Sequence, residues 1–293
     1  MPELPEVETI RRSLAPELIG RSITRVEVLH EHAIGGVSPA AFGRILRGRT
    51  FEGITRRGKY LVFGFRPMAG QDAICLVVHL RMTGRLVHLP DGGGPRQGPR
   101  WIGSPEMVPQ HSHIVFWLEG AGSLVFHDVR KFGRVLLVPT DRVGAHLPRG
   151  QDPLVDGITG ADLRRLLGHR PGRIKALLLR QDLVAGLGNI YVDESLHRAG
   201  LHPAAKARDI APRGWEQLAD GITGIIGQAL EMRGTTLLDY RTGTGERGAF
   251  GALLQVYGRE GQPCGDCGTA IVKVRVAGRG TWYCPSCQRA DCV

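Results

Sequence analysis

The sequence predicts an α+β multidomain fold, on three observations. A helical segment at the start is followed by short β-like runs with turn residues between them. From about residue 152 the apolar spacing becomes that of helices, and the chain ends in a module with two close cysteine pairs. With 293 residues there is room for two domains, each with its own core. Apolar residues make up 42% and charged residues 23%, ordinary for a globular chain, and no apolar run approaches the roughly 18 residues of a membrane helix. The opening residues Met1-Pro2-Glu3-Leu4-Pro5-Glu6 carry acids where a signal peptide has a basic segment, so a cytoplasmic location without membrane attachment is expected.

The first element is a helix from Pro2 to about Leu18, because Leu4, Val7, Ile10, Leu14 and Leu18 recur at three- and four-residue spacing and Gly20 closes the segment. The β-like runs then fall at 23–29, 60–65, 73–80, 113–118, 123–126 and 134–138, a spacing that reads as a β-sandwich or a barrel and sets a first domain at 1–138. Residues 90–109, rich in Gly and Pro, read as a partly disordered surface insertion. The polar stretch 139–151, with Pro139 and Pro148, is the expected hinge. A helical domain at 152–255 follows, with helices at 163–167, 174–179, 190–196 and 215–232 and a mobile glycine-rich loop at 241–251.

The last piece, 256–293, contains Cys264-x2-Cys267 and Cys284-x2-Cys287. Two such knuckles place four thiolates tetrahedrally around one zinc ion. Residues 270–276 and 281–283 read as a hairpin with its turn at 277–280, so Arg279 stands between two glycines where it can meet a phosphate or simply be solvated. A shell of four thiolates has no open position, so this zinc is expected to be structural. A redox pair or disulfides are the rival reading, disfavoured in the cytoplasm. Cys75 reads as core, and Cys292 is the substitute donor.

Lys and Arg number 38 against 28 acids, a net charge of +10 that suggests a polyanionic partner. Only Lys59, Lys131, Lys175, Lys206 and Lys273 are lysines; the remaining cations are arginines, whose planar fork suits phosphate. Hydride transfer and nucleotide hydrolysis have no support. Ile34 stands where a zinc-protease helix needs its second His, Tyr191 where a dinucleotide loop needs its third Gly, and no phosphate-binding P-loop occurs. Gly186-Leu187-Gly188-Asn189 reads as a turn and N-cap before a helix, serving either as an anion site or as capping alone. At the amino terminus, removal of Met1 would leave Pro2 with a secondary amine, a competent nucleophile toward C1′ of a nucleotide. Glu3 adjoins it and Glu6 lies one turn on, both able to exchange protons. The same residues also suit a plain helix start, with acids complementing its dipole.

Six ordered motifs then coincide with a known family: Pro2-Glu3-Leu4-Pro5-Glu6-Val7-Glu8-Thr9, Arg57-Gly58-Lys59-Tyr60-Leu61, His79-Leu80-Arg81-Met82-Thr83-Gly84, Asp128-Val129-Arg130-Lys131-Phe132-Gly133, Gly186-Leu187-Gly188-Asn189-Ile190-Tyr191, and the finger from Val256-Tyr257-Gly258 through Arg279-Gly280-Thr281-Trp282-Tyr283-Cys284. Along nearly its whole length the chain resembles the formamidopyrimidine-DNA glycosylases, bifunctional base-excision repair enzymes. Leu4 matches the oxidised-purine branch rather than the endonuclease VIII branch, which typically has Gly there.

The resemblance implies an N-terminal β-sandwich, a helix-two-turns-helix domain and a zinc finger, with duplex DNA in a cleft. It implies a monomer that needs no nucleotide cofactor. Pro2 would be the Schiff-base nucleophile, Glu3 the proton donor that opens the sugar, Glu6 a supporting residue, Lys59 a proton-transfer and phosphate residue, and Arg279 the phosphate grip used in the second elimination. His79, His111, Arg130, Arg170, Lys175 and Asn189 would contact DNA. Met82, Arg130 and Phe132 would fill the gap left by the extruded base, and 241–251 would close over it. Lys131 departs from the family's usual Arg, His113 is an alternative to His111 because of the nearby insertion, and Gly248-Ala249-Phe250 lacks one usual aromatic. An endonuclease VIII-like enzyme for oxidised pyrimidines and a non-catalytic damaged-DNA-binding protein are the competing readings.

Overall fold

The structure, a computed structural model, describes residues 1–90, 111–120, 122–236 and 240–289. The expected insertion at 90–109 and Cys292 therefore lie almost wholly outside the described residues. The chain forms two units. One comprises 1–147 together with 232–249, the other 148–231 together with 250–293.

The first unit opens with helix α1 (Leu4–Leu18), whose N-cap is Glu3 and whose second residue is Pro5, tolerated there because the first turn's N–H groups have no helical partner. Glu6 completes a capping box by accepting the Glu3 N–H. The buried stripe Leu4, Val7, Ile10, Leu14 and Leu18 faces the core. Strand β1 (Ile23–Val28), a short β2 (Ile34–Gly35) and helix α2 (Pro39–Leu46) follow. The hairpin of β3 (Phe51–Arg57) and β4 (Tyr60–Phe65) comes next, then β5 (Ile74–His79), β6 (Gly84–Leu89), β7 (Ser112–Leu118), β8 (Ser123–Asp128) and β9 (Arg134–Pro139).

The strands make two sheets, ordered β1-β7-β8-β6 and β2-β9-β5-β4-β3. Only the β2–β9 pair is parallel among these. One apolar core takes Phe116, Leu124 and Phe126 from the first sheet, Phe63, Leu76 and Val135 from the second, Val7 and Leu14 from α1, and Phe42 from α2. That is the expected sandwich, with α1 packed into it. Arg57 pairs Tyr60, so Gly58 and Lys59 form a two-residue turn in which Gly58 takes φ +58°, a conformation that suits glycine.

The second unit carries α3 (Gly160–Leu167), α4 (Ile174–Leu178), α5 (Asn189–Arg198) and α6 (Pro212–Glu231), ending in the antiparallel hairpin β10 (Val272–Val276) and β11 (Arg279–Tyr283). A capping box between Thr159 and Asp162 starts α3. Gly221 lets α6 approach α5 closely, since a Cβ there would lie 2.9 Å from the Ser195 carbonyl oxygen.

Four expectations change. The stretch expected as a hinge at 139–151 is largely folded: Thr140–His146 is a 3-10 helix, and Val143 and Leu147 pack on Cys75, Val77 and Val138, so the division falls after Leu147. Residues 241–249, expected with the helical domain and as a mobile loop, are held in the first unit. Ser13 Oγ accepts the Gly243 N–H at 2.8 Å, the Gly243 carbonyl accepts from the His88 N–H at 2.8 Å, and Tyr240 joins the sandwich core. Helix α5 begins at Asn189 with Gly188 as its N-cap, so Asn189 is not the cap. Arg279 likewise opens strand β11 opposite Val276, leaving Ala277 and Gly278 as the turn.

Candidate active site

In the first unit the amino terminus is built around Glu6. Pro2 is buried, and Glu3 and Glu6 are about 3% and 2% exposed. Glu6 Oε2 accepts the Glu3 N–H at 2.8 Å and Oε1 accepts the Thr235 N–H at 2.7 Å, so one carboxylate ties the residues beside Pro2 to the 232–249 segment. Gly234 sits against it at φ +83°, where a Cβ would lie 2.9 Å from Oε1, and Gly248 packs on Gly234 so closely that a Cβ would meet its carbonyl oxygen at 2.2 Å. Neither position has room for a side chain.

Lys59 is buried at the β3–β4 turn. The turn is braced from α1: Arg56 donates to the Gly58 carbonyl at 2.9 Å and to Glu8 Oε2 at 3.2 Å. Glu8 also takes Arg11 and Arg12, each at 2.8 Å. Burial alone would raise the Glu8 carboxyl, but these three guanidiniums overrule it and hold it at about 2. Glu8 stands in the opening motif, yet nothing local in the sequence marks it as the brace of the lysine turn.

His79, at the end of β5, accepts the Arg81 N–H on Nδ1 at 2.9 Å and stands edge-on to Tyr60. Burial, then the nearby Arg81 and Lys59 charges, lower it to about 3. It is thus a neutral imidazole whose Nε2 carries the proton, suited to donating to a phosphate oxygen. Met82 and Phe132 are 43% and 49% exposed, unusual for large apolar side chains, and the Arg130 guanidinium lies 5.0 Å over the Phe132 ring.

Both loops are gathered by buried Asp128. Its Oδ1 accepts the Thr83 hydroxyl at 2.5 Å and the Arg130 N–H at 3.2 Å, and its Oδ2 accepts the Gly133 N–H at 2.7 Å. Asp128 opens the 128–133 motif, yet nothing local in the sequence marks it as the residue that gathers these loops. His111 is exposed beside this strand, whereas the alternative His113 is 1% exposed with Nε2 on the Asp128 carbonyl at 2.7 Å, which favours His111 as a contact residue.

In the second unit Arg279 is exposed and Arg170 half-buried, the latter with Nε on the Leu166 carbonyl at 2.8 Å. Lys175 is placed differently from the expected contact residue. It is fully buried, and its ammonium donates to Asp193 Oδ1 at 2.7 Å, Thr281 Oγ1 at 2.8 Å and the Gly280 carbonyl at 3.1 Å. An ammonium has three protons to give, and these bonds use them. Asn189 Nδ2 donates to the same Gly280 carbonyl at 2.9 Å, and Asp193 Oδ2 accepts the Trp282 N–H at 3.1 Å. Glu194 accepts the N–H groups of Gln255, Val256 and Tyr257 at 2.8–3.0 Å. Helix α5 thereby fixes the strand that starts at Arg279. The spacing of Asn189 and Asp193, one helical turn apart, was the available signal for this role.

The four cysteines come together as expected, with no disulfide among them. Cys264 and Cys287 sulfurs are 3.9 Å apart and Cys267 and Cys284 3.4 Å, close to the roughly 3.8 Å between thiolates on one tetrahedral zinc. The donor chemistry and spacing fit a structural zinc ion held by Cys264, Cys267, Cys284 and Cys287.

A β-sandwich with a buried N-terminal acid pair, a helical domain and a four-thiolate finger carrying an exposed arginine define a zinc-finger enzyme acting on DNA. Comparison with known proteins gives the family. Residues 1–135 match the formamidopyrimidine-DNA glycosylase N-terminal domain, 149–240 its helix-two-turns-helix domain, and 261–290 the zinc finger found in these glycosylases and in isoleucyl-tRNA synthetases. The formamidopyrimidine-DNA glycosylase of Pelotomaculum thermopropionicum is 41% identical over 99% of both chains. That of Symbiobacterium thermophilum is 45% identical over 98% of this chain and 89% of its own. A variant Lactococcus lactis enzyme solved with DNA containing Fapy-dG superposes with a TM-score of 0.85 at 36% identity, covering 98% of this chain and all of that one. The chain belongs to the formamidopyrimidine-DNA glycosylase family, and is a DNA glycosylase of base-excision repair, a family in which AP lyase activity is characteristic.

Proposed function

We propose that the chain excises oxidised purines, 8-oxoguanine and formamidopyrimidines, from duplex DNA through Pro2 and then nicks the strand by β,δ-elimination. The observation that carries this reading is the setting of residue 2: buried, followed by Glu3, and anchored through Glu6 to the 232–249 segment. Once Met1 is removed, the Pro2 nitrogen is a secondary amine with an unperturbed pKa of about 8. It attacks C1′, the bond to the base breaks, and the base leaves with the electron pair and a proton supplied through Lys59. The Pro2 nitrogen gives up its N–H proton to water, and Glu3 protonates the ring oxygen as its bond to C1′ opens, so that the nitrogen lone pair closes an iminium between C1′ and Pro2. Loss of a C2′ proton expels the 3′ phosphate; a second elimination, assisted by Arg279, expels the 5′ phosphate. Water then releases the sugar fragment and restores the amine.

To reach C1′ the enzyme must take the base out of the stack, at a cost of a few kcal/mol. The exposed Met82 and Phe132, with Arg130 over the ring, are the groups we assign to the vacated space. His79, His111, Arg130, Arg170 and Asn189 are assigned to DNA contact. For Lys175 the buried bonds favour positioning of the finger strand over direct contact. The zinc supplies no reactive chemistry; it holds the finger. We further assign the protein to work as a monomer in the cytoplasm, where its duplex substrate lies.

A second reading has one specific support: a neighbouring Lactococcus lactis structure contains an oxidised pyrimidine in its DNA. Competition between purine- and pyrimidine-lesion duplexes separates the two, with the purine duplex expected to win. Incubation with a duplex bearing a single 8-oxoguanine tests the main reading. A nick with phosphate on both ends is expected; binding without cleavage refutes it in favour of a damage-binding protein.

A further inference from the structure

Helix α5 turns three polar residues at four-residue spacing toward the finger. Asn189 and Asp193 bond β11, and the third, His197, reaches sulfur. Its Nε2 lies 3.6 Å from Cys264 Sγ and 3.6 Å from Asp266 Oδ2, with the His197 side chain almost fully buried and that of Asp266 exposed. These atoms and Cys287 Sγ all lie within 4.8 Å of one another, as do the four cysteine sulfurs. The two donor sets therefore share Cys264 and Cys287, like two tetrahedra with a common edge.

A sulfur and a nitrogen on one tetrahedral zinc stand about 3.6 Å apart, given bonds of about 2.3 and 2.0–2.1 Å. His197 and Cys264 stand at that separation. Zinc accepts imidazole and carboxylate as readily in kind as thiolate, and the second set carries one negative charge fewer than four thiolates. Of the unshared thiols, Cys267 is exposed and Cys284 buried, so Cys267 is the ligand that reagents reach.

We propose that Cys264, Cys287, His197 and Asp266 form a reserve site that retains the finger's zinc when Cys267 is lost. The ion crosses the shared edge instead of leaving. The proposal predicts an asymmetry among cysteines that a plain four-thiolate site lacks: the unshared Cys267 is dispensable for metal retention, and the shared Cys264 is not.

The test is metal content of the full-length protein after desalting, with cobalt substitution to identify the donors. The Cys267→Ala variant is expected to keep one zinc, and its cobalt form to lose about half of the sulfur-to-metal absorption, because two thiolates remain of four. His197→Phe alone keeps one zinc, whereas Cys264→Ala and the double variant Cys267→Ala/His197→Phe are empty. Alkylating Cys267 in the folded protein gives an arm that does not depend on refolding of a variant: zinc stays when His197 is present and leaves when it is Phe. Loss of zinc from Cys267→Ala as complete as from Cys264→Ala, in both arms, overturns the proposal. So does retention that is indifferent to His197.

Discussion

The Glu6→Gln substitution isolates the bond on which the amino-terminal geometry rests. Glu6 is buried, and each of its oxygens accepts one backbone N–H, from Glu3 at 2.8 Å and from Thr235 at 2.7 Å. Gln keeps the volume but must turn its NH2 toward one of those two donors. One charge-assisted hydrogen bond is lost and one buried N–H is left facing another donor. Each effect is worth about 1–3 kcal/mol, giving a loss of roughly 2–6 kcal/mol for the first unit. For a unit of this size that corresponds to a fall in Tm of about 4–24 °C. Calorimetry of wild type and variant measures it, and borohydride trapping on a lesion duplex measures the functional consequence, expected to slow at least tenfold because Pro2 loses its fixed neighbour. A variant with unchanged Tm and wild-type trapping refutes the assignment of Glu6 as the anchor.

Three further outcomes are expected. Asp128→Ala frees the loops that carry Met82, Arg130 and Phe132, so affinity for a lesion in duplex should fall about tenfold, with less effect on a lesion whose opposite base is absent; equal losses on both substrates contradict the gap-filling role. His79, lowered to about 3, stays neutral through the working range, so its ring signals should not titrate between pH 5 and 8 and His79→Gln should leave the shape of the pH profile unchanged; an NMR transition near the ordinary value of about 6.5 contradicts this. Glu8 is held at about 2 in the folded chain against 4.5 ordinarily, so it contributes stability above about pH 4.5 that is lost as pH falls toward 2. Denaturation of Glu8→Gln at a series of pH values should show less stability than wild type at pH 7 and a flatter acid limb; an acid limb as steep as that of wild type contradicts the ion-pair cluster.

Apolar spacing carried α1, and apolar runs six strands of the sandwich, because each of these segments contributes side chains to one core. Strand β3 escaped the reading: its Arg56 is buried only because Glu8, on another element, neutralises it, and such a residue looks like loop sequence until the partner is known. Helix α2 is eight residues long and contains Gly43, too little pattern to register. The folding of 139–147 depends on Val143 and Leu147 finding Cys75 and Val77, more than 60 residues away in sequence.

Within the site, the spacing of Glu3 and Glu6 was local and legible, and so was the cysteine pattern. The partner that gives Glu6 its role, Thr235, lies 229 residues away and leaves no trace near the amino terminus. The resemblance implies a DNA contact for Lys175, but the buried Asp193 and Thr281 that occupy it emerge only when α4, α5 and β11 pack together.

The central claim is that residue 2 holds the sugar covalently. Borohydride reduction during turnover of an 8-oxoguanine duplex, followed by tryptic digestion and mass spectrometry, locates the bond. The account predicts a reduced sugar adduct on the Pro2 nitrogen, in a peptide that has lost Met1. An adduct on Lys59 or any other lysine, or efficient trapping by chains that retain Met1, contradicts it.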